Sequence, residues 1–404
     1  MRPCGSATGP ASLPSSAVPG SVCSCERCEA DRTFLREARR PSKPPRGKTP
    51  VTVVDLFAGC GGLTCGLEEA ARRAGRRLDV RLAVDVDPHI ARVYKRNFRA
   101  GRVLAADVSS LFPGDPGSEL APVEGRLTAL APRPDFLIAG PPCQGHSDLN
   151  NHTRRADPRN ALYLRVARAA EVLRPQVIVV ENVPAVQHDI DDVVGATTTA
   201  LEKLEYTVAS QVLDLALVGV PQHRRRFVLL ASSDARVDPN DLLDGVRTGW
   251  SGHATRTVDW AIRDLEATES TLAIDMPSRV SAENQRRIAY LFDENQYDLP
   301  DSERPTCHRD KAHSYRSVYG RLRWEAPSQT ITTGFSSMGQ GRYVHPSQRR
   351  TLTPHEAARI QTFPDWFDWG STARTTLSTV IGNAVPPLLT LRLGGAVLAA
   401  LGRG

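Results

Sequence analysis

The sequence lacks the features that mark membrane and secreted proteins. No apolar run approaches a membrane span, and the opening residues, Met1 to Ser6, lack the apolar core of a signal peptide. The eight cysteines fall at irregular spacings in a chain of 404 residues, which excludes a disulfide framework. We therefore expect a cytoplasmic protein with reduced thiols and no membrane contact.

Lysine is also scarce, since only five of the 51 basic residues are lysines and the rest are arginines. The planar guanidinium suits phosphates and base edges, so the bias fits a nucleic-acid partner. A genome rich in G and C would produce the same bias. The net charge of +6 allows a polyanionic partner without requiring one.

The first 49 residues are rich in proline, serine, glycine and arginine, and we predict a disordered basic tail over 1–49. Cys23, Cys25 and Cys28 cluster inside it. With Cys4 they would supply four thiolates for zinc, but the usual two Cys-x-x-Cys pairs are absent. We assign no metal ligands from the sequence and leave this cluster open.

Strands and helices alternate through residues 50–232, which predicts a largely parallel sheet covered on both faces. Predicted strands lie near 51–57, 80–84, 103–104, 136–139, 176–180, 208–213 and 227–231. A proline pair at 386–387 opens an apolar helix over 388–401, which should pack back on this domain. The expected fold class is α/β, a Rossmann-like doubly wound mixed sheet.

The composition changes after residue 232. Residues 233–303 carry fifteen acidic groups against seven arginines, whereas 304–350 carry a net charge of +7. The region is either a surface domain of uneven charge or a recognition domain whose basic half faces phosphate. We predict a smaller, irregular recognition domain over 233–350, and a segment over 351–404 that returns to the 50–232 domain.

One stretch places a thiol at the carboxyl end of a buried strand. Phe136 to Ala139 are apolar and run into Gly140, Pro141 and Pro142, and Cys143 follows directly. Ligands of open α/β sheets bind at this end of the strands. A buried cysteine in a tight turn is the alternative for an isolated motif.

Four further motifs accompany this stretch. They are Asp55-Leu56-Phe57-Ala58-Gly59-Cys60-Gly61-Gly62, Glu181-Asn182-Val183, Gln222-His223-Arg224-Arg225-Arg226 and Gly382-Asn383-Ala384-Val385-Pro386. In this order the five motifs resemble the series of the DNA (cytosine-5)-methyltransferases of bacterial type, over roughly 51–232 and 322–401. The resemblance implies the class I methyltransferase fold and a target-recognition domain within 233–350.

The resemblance also implies covalent catalysis. A thiolate added at carbon 6 of cytosine makes carbon 5 nucleophilic, and Cys143 is the candidate thiolate, with Cys60, Cys65 and Cys307 as weaker alternatives. Glu181 is the acid expected near ring nitrogen 3. Arg224 and Arg226 alternate along an extended segment and should share one face. The resemblance puts Arg226 on the base carbonyl and Arg224 on the nearby acid or a phosphate.

The implied cofactor is S-adenosyl-L-methionine. Asp85 is the expected ribose ligand at the end of the second strand, with Asp87 as its rival, and Asp107 is the expected partner of the adenine amino group. Val86 stands where many relatives carry an aromatic ring. The remaining expected cofactor contacts are Phe57, Ala58, Gly59, Gly61, Pro142, Asn383 and Val385.

A cytosine inside a duplex must be flipped out before it can react. Residues 144–160 are polar and basic and predict a closing loop, with Gln144, Ser147, Arg154 and Arg155 as DNA contacts. His146 receives no role. The insert at 233–322 favours double-stranded DNA over RNA as substrate. The rivals are an RNA cytosine-5 methyltransferase on the same scaffold and a catalytically silent DNA-binding protein.

We therefore expect a monomeric, site-specific modification enzyme, either solitary or paired with a restriction endonuclease encoded nearby. The target sequence cannot be deduced, because base contacts come from a few side chains in an irregular region.

Overall fold

The computed structural model describes residues 25–42, 44, 47–142, 162–251, 253–267, 269–309, 318–370 and 372–404. These residues divide into two compact units. The sheet unit comprises the described residues within Pro41–Val218, Arg225–Gly249 and Ala384–Gly404. The second unit comprises those within Met1–Arg40, Gly219–Arg224 and Trp250–Asn383.

A seven-stranded sheet forms the centre of the sheet unit. Its strands are β1 (Val51–Leu56), β2 (Leu78–Asp85), β3 (Ala100–Ala105), β4 (Phe136–Ala139), β5 (Val177–Asn182), β6 (Thr207–Asp214) and β8 (Arg225–Ser232). The spatial order is β3-β2-β1-β4-β5-β8-β6. The first five strands of that order are parallel, while β8 runs antiparallel to both β5 and β6. The carboxyl ends of β1 to β5 therefore share one edge of the sheet.

The central strands are buried on both faces, which explains their continuous apolar composition. Every residue of β4 and β5 is buried, and aliphatic residues of β1, β2, β4 and β5 join one hydrophobic core. The predicted α/β fold with a doubly wound mixed sheet is confirmed.

Helices cover the sheet. They are α2 (Gly62–Arg73), α3 (Pro88–Asn97), α4 (Val108–Leu111), α5 (Pro122–Leu130), α6 (Leu162–Leu173), α7 (Val193–Lys203), α8 (Pro239–Thr248) and α14 (Pro387–Ala400). The apolar helix α14 packs against α2, as the sequence predicts. A Cβ on Gly66 would lie 1.9 Å from the Pro387 carbonyl oxygen, so only glycine permits this approach. The Thr390 hydroxyl donates to the Leu63 carbonyl at 2.7 Å.

The second unit is mostly helical and irregular. Its helices are α1 (Glu26–Arg36), α9 (Val258–Ile262), α10 (Ala282–Asp293), α11 (Thr306–Arg309), α12 (Pro354–Ile360) and α13 (Arg374–Asn383). Two short parallel strands, β7 (Gln222–His223) and β9 (Ser328–Gln329), pair within it. A separate apolar cluster includes Ile288, Leu291, Met338 and Val344.

The N-terminal region differs from the disordered tail predicted over 1–49. Helix α1 lies inside that range and buries Cys28, Asp31, Phe34 and Leu35 along one face. The spacing of three and four residues between them is that of an amphipathic helix, and the high local content of arginine and glutamate obscures it in the sequence.

The unit boundaries also differ from the predicted domains. Residues 233–249 belong to the sheet unit, while 351–383 belong to the second unit. Only the described residues from Ala384 onward return to the sheet unit.

One helical stretch, Arg374–Ala400, is long and apolar enough to pass for a membrane span, contrary to the expectation that no run approaches this length. Residues 384–386 separate α13 from α14 within it, and 72% of its apolar window is buried inside the protein. Burial of this kind is typical of core helices.

Candidate active site

The turn after β1 is shaped by unusual backbone conformations. Phe57, Gly59 and Gly61 all have positive φ angles, of 54°, 54° and 94°. Gly61 caps the start of α2, and a Cβ there would lie 2.3 Å from a ring carbon of Phe98. The Ala58 amide donates to the Val84 carbonyl at 2.9 Å, which holds the turn at the edge of β2. The glycine motif therefore serves a tight strand-to-helix turn.

A buried carboxyl lies beneath this turn. Asp55 is fully buried and accepts a hydrogen bond from the Thr64 hydroxyl at 2.6 Å. The Thr64 hydroxyl is also 2.8 Å from the Tyr94 hydroxyl. Burial raises the pKa of Asp55 to about 7. Asp55 thus braces α2 against β1 from inside the core.

Asp85, the expected ribose ligand, already binds the main chain of the site. Its carboxylate accepts from the Gly59 amide at 2.8 Å and from the Asp87 amide at 2.9 Å, and burial raises its pKa. Asp87 caps α3 by accepting from the His89 amide at 2.7 Å. Val86, between them, is 72% exposed. Asp85 therefore joins the glycine turn to the end of β2.

Asp107 stands at the next strand along the edge. It follows β3 and caps α4, accepting from the Ser109 amide at 2.8 Å. Its side chain is otherwise exposed. Asp85 is the last residue of β2 and Asp107 lies shortly after β3, so the two stand at the carboxyl ends of neighbouring parallel strands.

Glu181 and Arg226 form an ion pair at the same edge of the sheet. Glu181 is the penultimate residue of β5 and is only 6% exposed, and Arg226 Nε lies 2.6 Å from Glu181 Oε1. Asn182 of β5 pairs with Phe227 of β8, which runs antiparallel to it. Arg226 immediately precedes Phe227 in the chain. The sheet register itself brings the two side chains together.

The same carboxylate faces the segment that leads to Cys143. Ala139 of β4 pairs with Val180 of β5, so Gly140 comes next to Glu181. A Cβ on Gly140 would lie 3.9 Å from Glu181 Oε2 and 3.9 Å from the Phe57 carbonyl oxygen. Glu181 thus lies between the Gly-Pro-Pro segment and Arg226.

Two neighbours complete this part of the site. The Asn182 side-chain oxygen accepts from the Val183 amide at 2.7 Å, so Asn182 holds local backbone. Tyr163, which the sequence analysis missed, is buried on α6, and its burial together with the charge of Glu181 raises its pKa. A tyrosine among apolar residues indicates core packing, and no motif in the sequence marks it as part of the site.

Arg224 has partners other than those predicted. It is 2% exposed and donates to the Ile331 carbonyl at 2.9 Å and to the Gly382 carbonyl at 3.4 Å. The alternation that puts Arg224 and Arg226 on one face assumes a single strand, whereas Arg224 lies between β7 and β8, which belong to different sheets. Their shared face stays a prediction. Arg224 thus braces main-chain segments of the second unit.

The rival thiols of the glycine turn are poor nucleophiles. Cys60 and Cys65 are both buried. Burial raises the pKa of Cys60 to about 12, so it stays protonated near neutral pH. The side chain of Cys307 lies outside the described residues.

Several predicted site residues also lie outside them, namely Cys143, Gln144, Ser147, Arg154 and Arg155. Pro142 ends the described segment before Cys143 and is half-buried. Asn383, exposed at the end of α13, belongs to the second unit, and the half-buried Val385 belongs to the sheet unit. Their predicted cofactor contacts stay predictions.

The sheet order and the groups at its carboxyl edge define a class I methyltransferase. Residues 51–399 match the family described as C-5 cytosine-specific DNA methylase, and the chain belongs to that family. It is 43% identical over 363 residues to the Type II methyltransferase M1.BsuMI of Bacillus subtilis (strain 168), covering 90% of this chain and 84% of the relative. It is 31% identical over 359 residues to the Type II methylase M.HgiDII of Herpetosiphon aurantiacus, covering 83% and 92%.

Solved structures agree on the fold. The S. pombe Dnmt2 methyltransferase superposes with a TM-score of 0.60 at 16% identity, over 87% of this chain and 99% of that one. The Entamoeba histolytica methyltransferase EhMeth gives 0.56 at 16% identity, over 88% and 99%. The family and the two Type II relatives confirm the predicted activity, which is DNA cytosine-5 methylation of the kind found in restriction–modification systems.

Proposed function

We propose that this enzyme transfers a methyl group from S-adenosyl-L-methionine to carbon 5 of a cytosine flipped out of double-stranded DNA, through a covalent adduct with Cys143. The observation that carries the proposal is the Glu181–Arg226 ion pair beside Gly140, three residues before Cys143. The pair holds the Glu181 carboxyl group beside the segment that leads to Cys143, where the addition step requires a proton donor.

The chain's own residues account for the activation of the base. The Cys143 thiolate forms a bond to carbon 6, and the electron pair of the ring double bond moves toward carbon 5 while charge develops across nitrogen 3 and the base carbonyl. Glu181 places a proton at nitrogen 3, and Arg226 stabilises the charge on the carbonyl. After methylation a base removes the carbon 5 hydrogen, the double bond re-forms as the thiolate leaves, and the proton on nitrogen 3 returns to Glu181.

The residues after β1, β2 and β3 fit an adenosyl donor. A Cβ on Gly59 would meet no atom within 4 Å, so the turn leaves open space at the sheet edge. Val86 offers an exposed apolar surface. In the sequence, the carboxylate of Asp85 comes directly before it and that of Asp107 follows it. The donor supplies an electrophilic methyl group. Because Asp85 already accepts two amides, we assign it first to orienting the turn.

The second unit would supply target recognition. Its residues 304–350 carry a net charge of +7, which suits contact with phosphates. Arg154, Arg155, Gln144 and Ser147 would contact DNA around the extruded base. We further propose that the enzyme acts as a cytoplasmic monomer at the nucleoid, paired with a restriction endonuclease of the same specificity.

The test is tritium transfer from methyl-labelled S-adenosylmethionine to host genomic DNA, followed by bisulfite sequencing. We expect 5-methylcytosine at one short recurrent site in duplex DNA. Transfer to RNA but not to duplex DNA, or no transfer to either, would contradict the proposal.

A further inference from the structure

A cluster of potential metal ligands lies in the second unit, where the first turn of α1 meets the segment after Trp250. Cys25, Cys28 and His253 each direct one ligand atom into it, and these atoms all lie within 4.8 Å of one another. From this geometry we propose that Cys25, Cys28 and His253 bind a structural zinc ion that fastens α1 to residues 250–257.

The distance between Cys25 and His253 suits tetrahedral zinc. With Zn–S of about 2.3 Å and Zn–N of about 2.0 Å, a tetrahedral ion separates sulfur from nitrogen by about 3.5 Å and sulfur from sulfur by about 3.8 Å. Cys25 Sγ lies 3.6 Å from His253 Nδ1. Both cysteines are thiols and not half-cystines. Cys25 and Cys28 stand in Cys-x-x-Cys spacing, and Cys25 is the N-cap of α1, so the helix start fixes both thiols.

The third ligand is held in place from the other side. The His253 ring stacks on Trp250, with centroids 4.6 Å apart and planes 25° apart, and its amide donates to the Trp250 carbonyl at 3.1 Å. Arg256 lies over the same Trp250 ring, 4.5 Å from its centroid. The imidazole is therefore oriented by packing before any ion binds, as metal-binding histidines usually are.

A second cross-link joins the same two segments one helical turn further on. Asp31 follows Cys28 by three residues and Arg256 follows His253 by three, and Arg256 Nη2 lies 2.7 Å from Asp31 Oδ2 with both side chains buried. The ligand cluster and the Asp31–Arg256 pair thus join the same two segments of the chain. A neutral Zn–thiolate–thiolate–imidazole unit would add no net charge beside that buried pair, and the fourth tetrahedral position stays open to a further ligand.

The experiment measures zinc in the purified full-length protein, prepared without chelator, by mass spectrometry. We expect about one zinc per chain in the wild type and in His188→Ala, an exposed control, and less than about a tenth in Cys25→Ser, Cys28→Ser and His253→Ala. Replacing zinc by cobalt should give the absorption bands of a tetrahedral thiolate site.

A rescue variant separates metal binding from folding. His253→Cys should keep zinc, because thiolate is a zinc ligand, whereas a simple thiol–imidazole hydrogen bond would be lost in it. A chelator should lower the melting temperature of the wild type and of His253→Cys but not of His253→Ala. Wild-type protein without stoichiometric zinc, or zinc retained when all three ligands are replaced, would overturn the proposal.

Discussion

Arg226 Nε lies 2.6 Å from Glu181 Oε1, across two antiparallel strands of the sheet unit. The pair joins the residue expected to protonate cytosine to the residue expected on the base carbonyl. Arg225, which precedes Arg226 in β8, is exposed. One strand therefore provides both a test position and its matched control.

Replacing Arg226 should impair catalysis without unfolding the protein. We expect Arg226→Ala to lower the rate of methyl transfer by about 10²- to 10³-fold, the usual cost of removing one group that stabilises developing charge. The rates are measured by tritium transfer at saturating DNA, with Arg225→Ala as the control. If both substitutions lowered the rate of methyl transfer equally, Arg226 would act only through its positive charge and not through its position.

Arg224 should behave differently, because its guanidinium donates to main-chain carbonyls in the second unit. Arg224→Ala leaves the carbonyls of Ile331 and Gly382 without these donors, which should cost about 2 to 5 kcal/mol of unfolding free energy. Chemical denaturation measures the cost, and the Arg225→Ala protein should stay near wild type. A stable but inactive Arg224→Ala enzyme would instead place Arg224 on the substrate.

The sequence predicted the seven strands of the central sheet, the glycine turn and the position of Glu181 at the end of its strand, because these depend on local patterns and on the parallel sheet. It did not predict the main-chain partners of Arg224, since alternation holds only within one strand and the sheet changes between His223 and Arg225. Helix α1 was missed because its buried residues are few and its partners lie more than two hundred residues away in sequence, as Asp31 and Arg256 do. Tyr163 was missed for a similar reason, because only the fold brings it near Glu181.

The docking of α1 can be tested by truncating Phe34, which is 3% exposed. Phe34→Ala should lower the free energy of unfolding by about 3 to 5 kcal/mol, the usual range for a buried aromatic residue. Thr33→Ala, at an exposed position of the same helix, is the control and should change it by less than about 0.5 kcal/mol. If Phe34→Ala left the free energy of unfolding unchanged, that result would support the prediction of a disordered tail over 1–49.

The buried Asp55 should make stability depend on pH. Its pKa is raised to about 7 in the folded protein, against about 3.9 in an unfolded chain, so its contribution is fully present below about pH 4 and is lost as pH rises toward 7. Asp55→Asn cannot ionise and keeps an oxygen for the Thr64 hydroxyl. The loss of unfolding free energy between about pH 5 and pH 8 should therefore be smaller, by up to about 3 kcal/mol, than in the wild type.

Denaturant titrations at both pH values measure this difference, and Asp191→Asn, at an exposed carboxyl, is the control. The account of Asp55 fails if Asp55→Asn and the wild type lose stability in parallel.

The covalent step is tested most directly with duplex DNA that contains 5-fluorocytosine at the target position. Fluorine at carbon 5 cannot leave as a cation, so the Cys143 adduct should persist and survive denaturation after methyl transfer. We predict a trapped complex that requires S-adenosylmethionine, forms far more slowly in Glu181→Gln, and is absent in a folded Cys143→Ala protein. Trapping of the duplex by Cys143→Ala would identify another thiol as the nucleophile, and absence of any adduct with the wild type would contradict covalent catalysis by this enzyme.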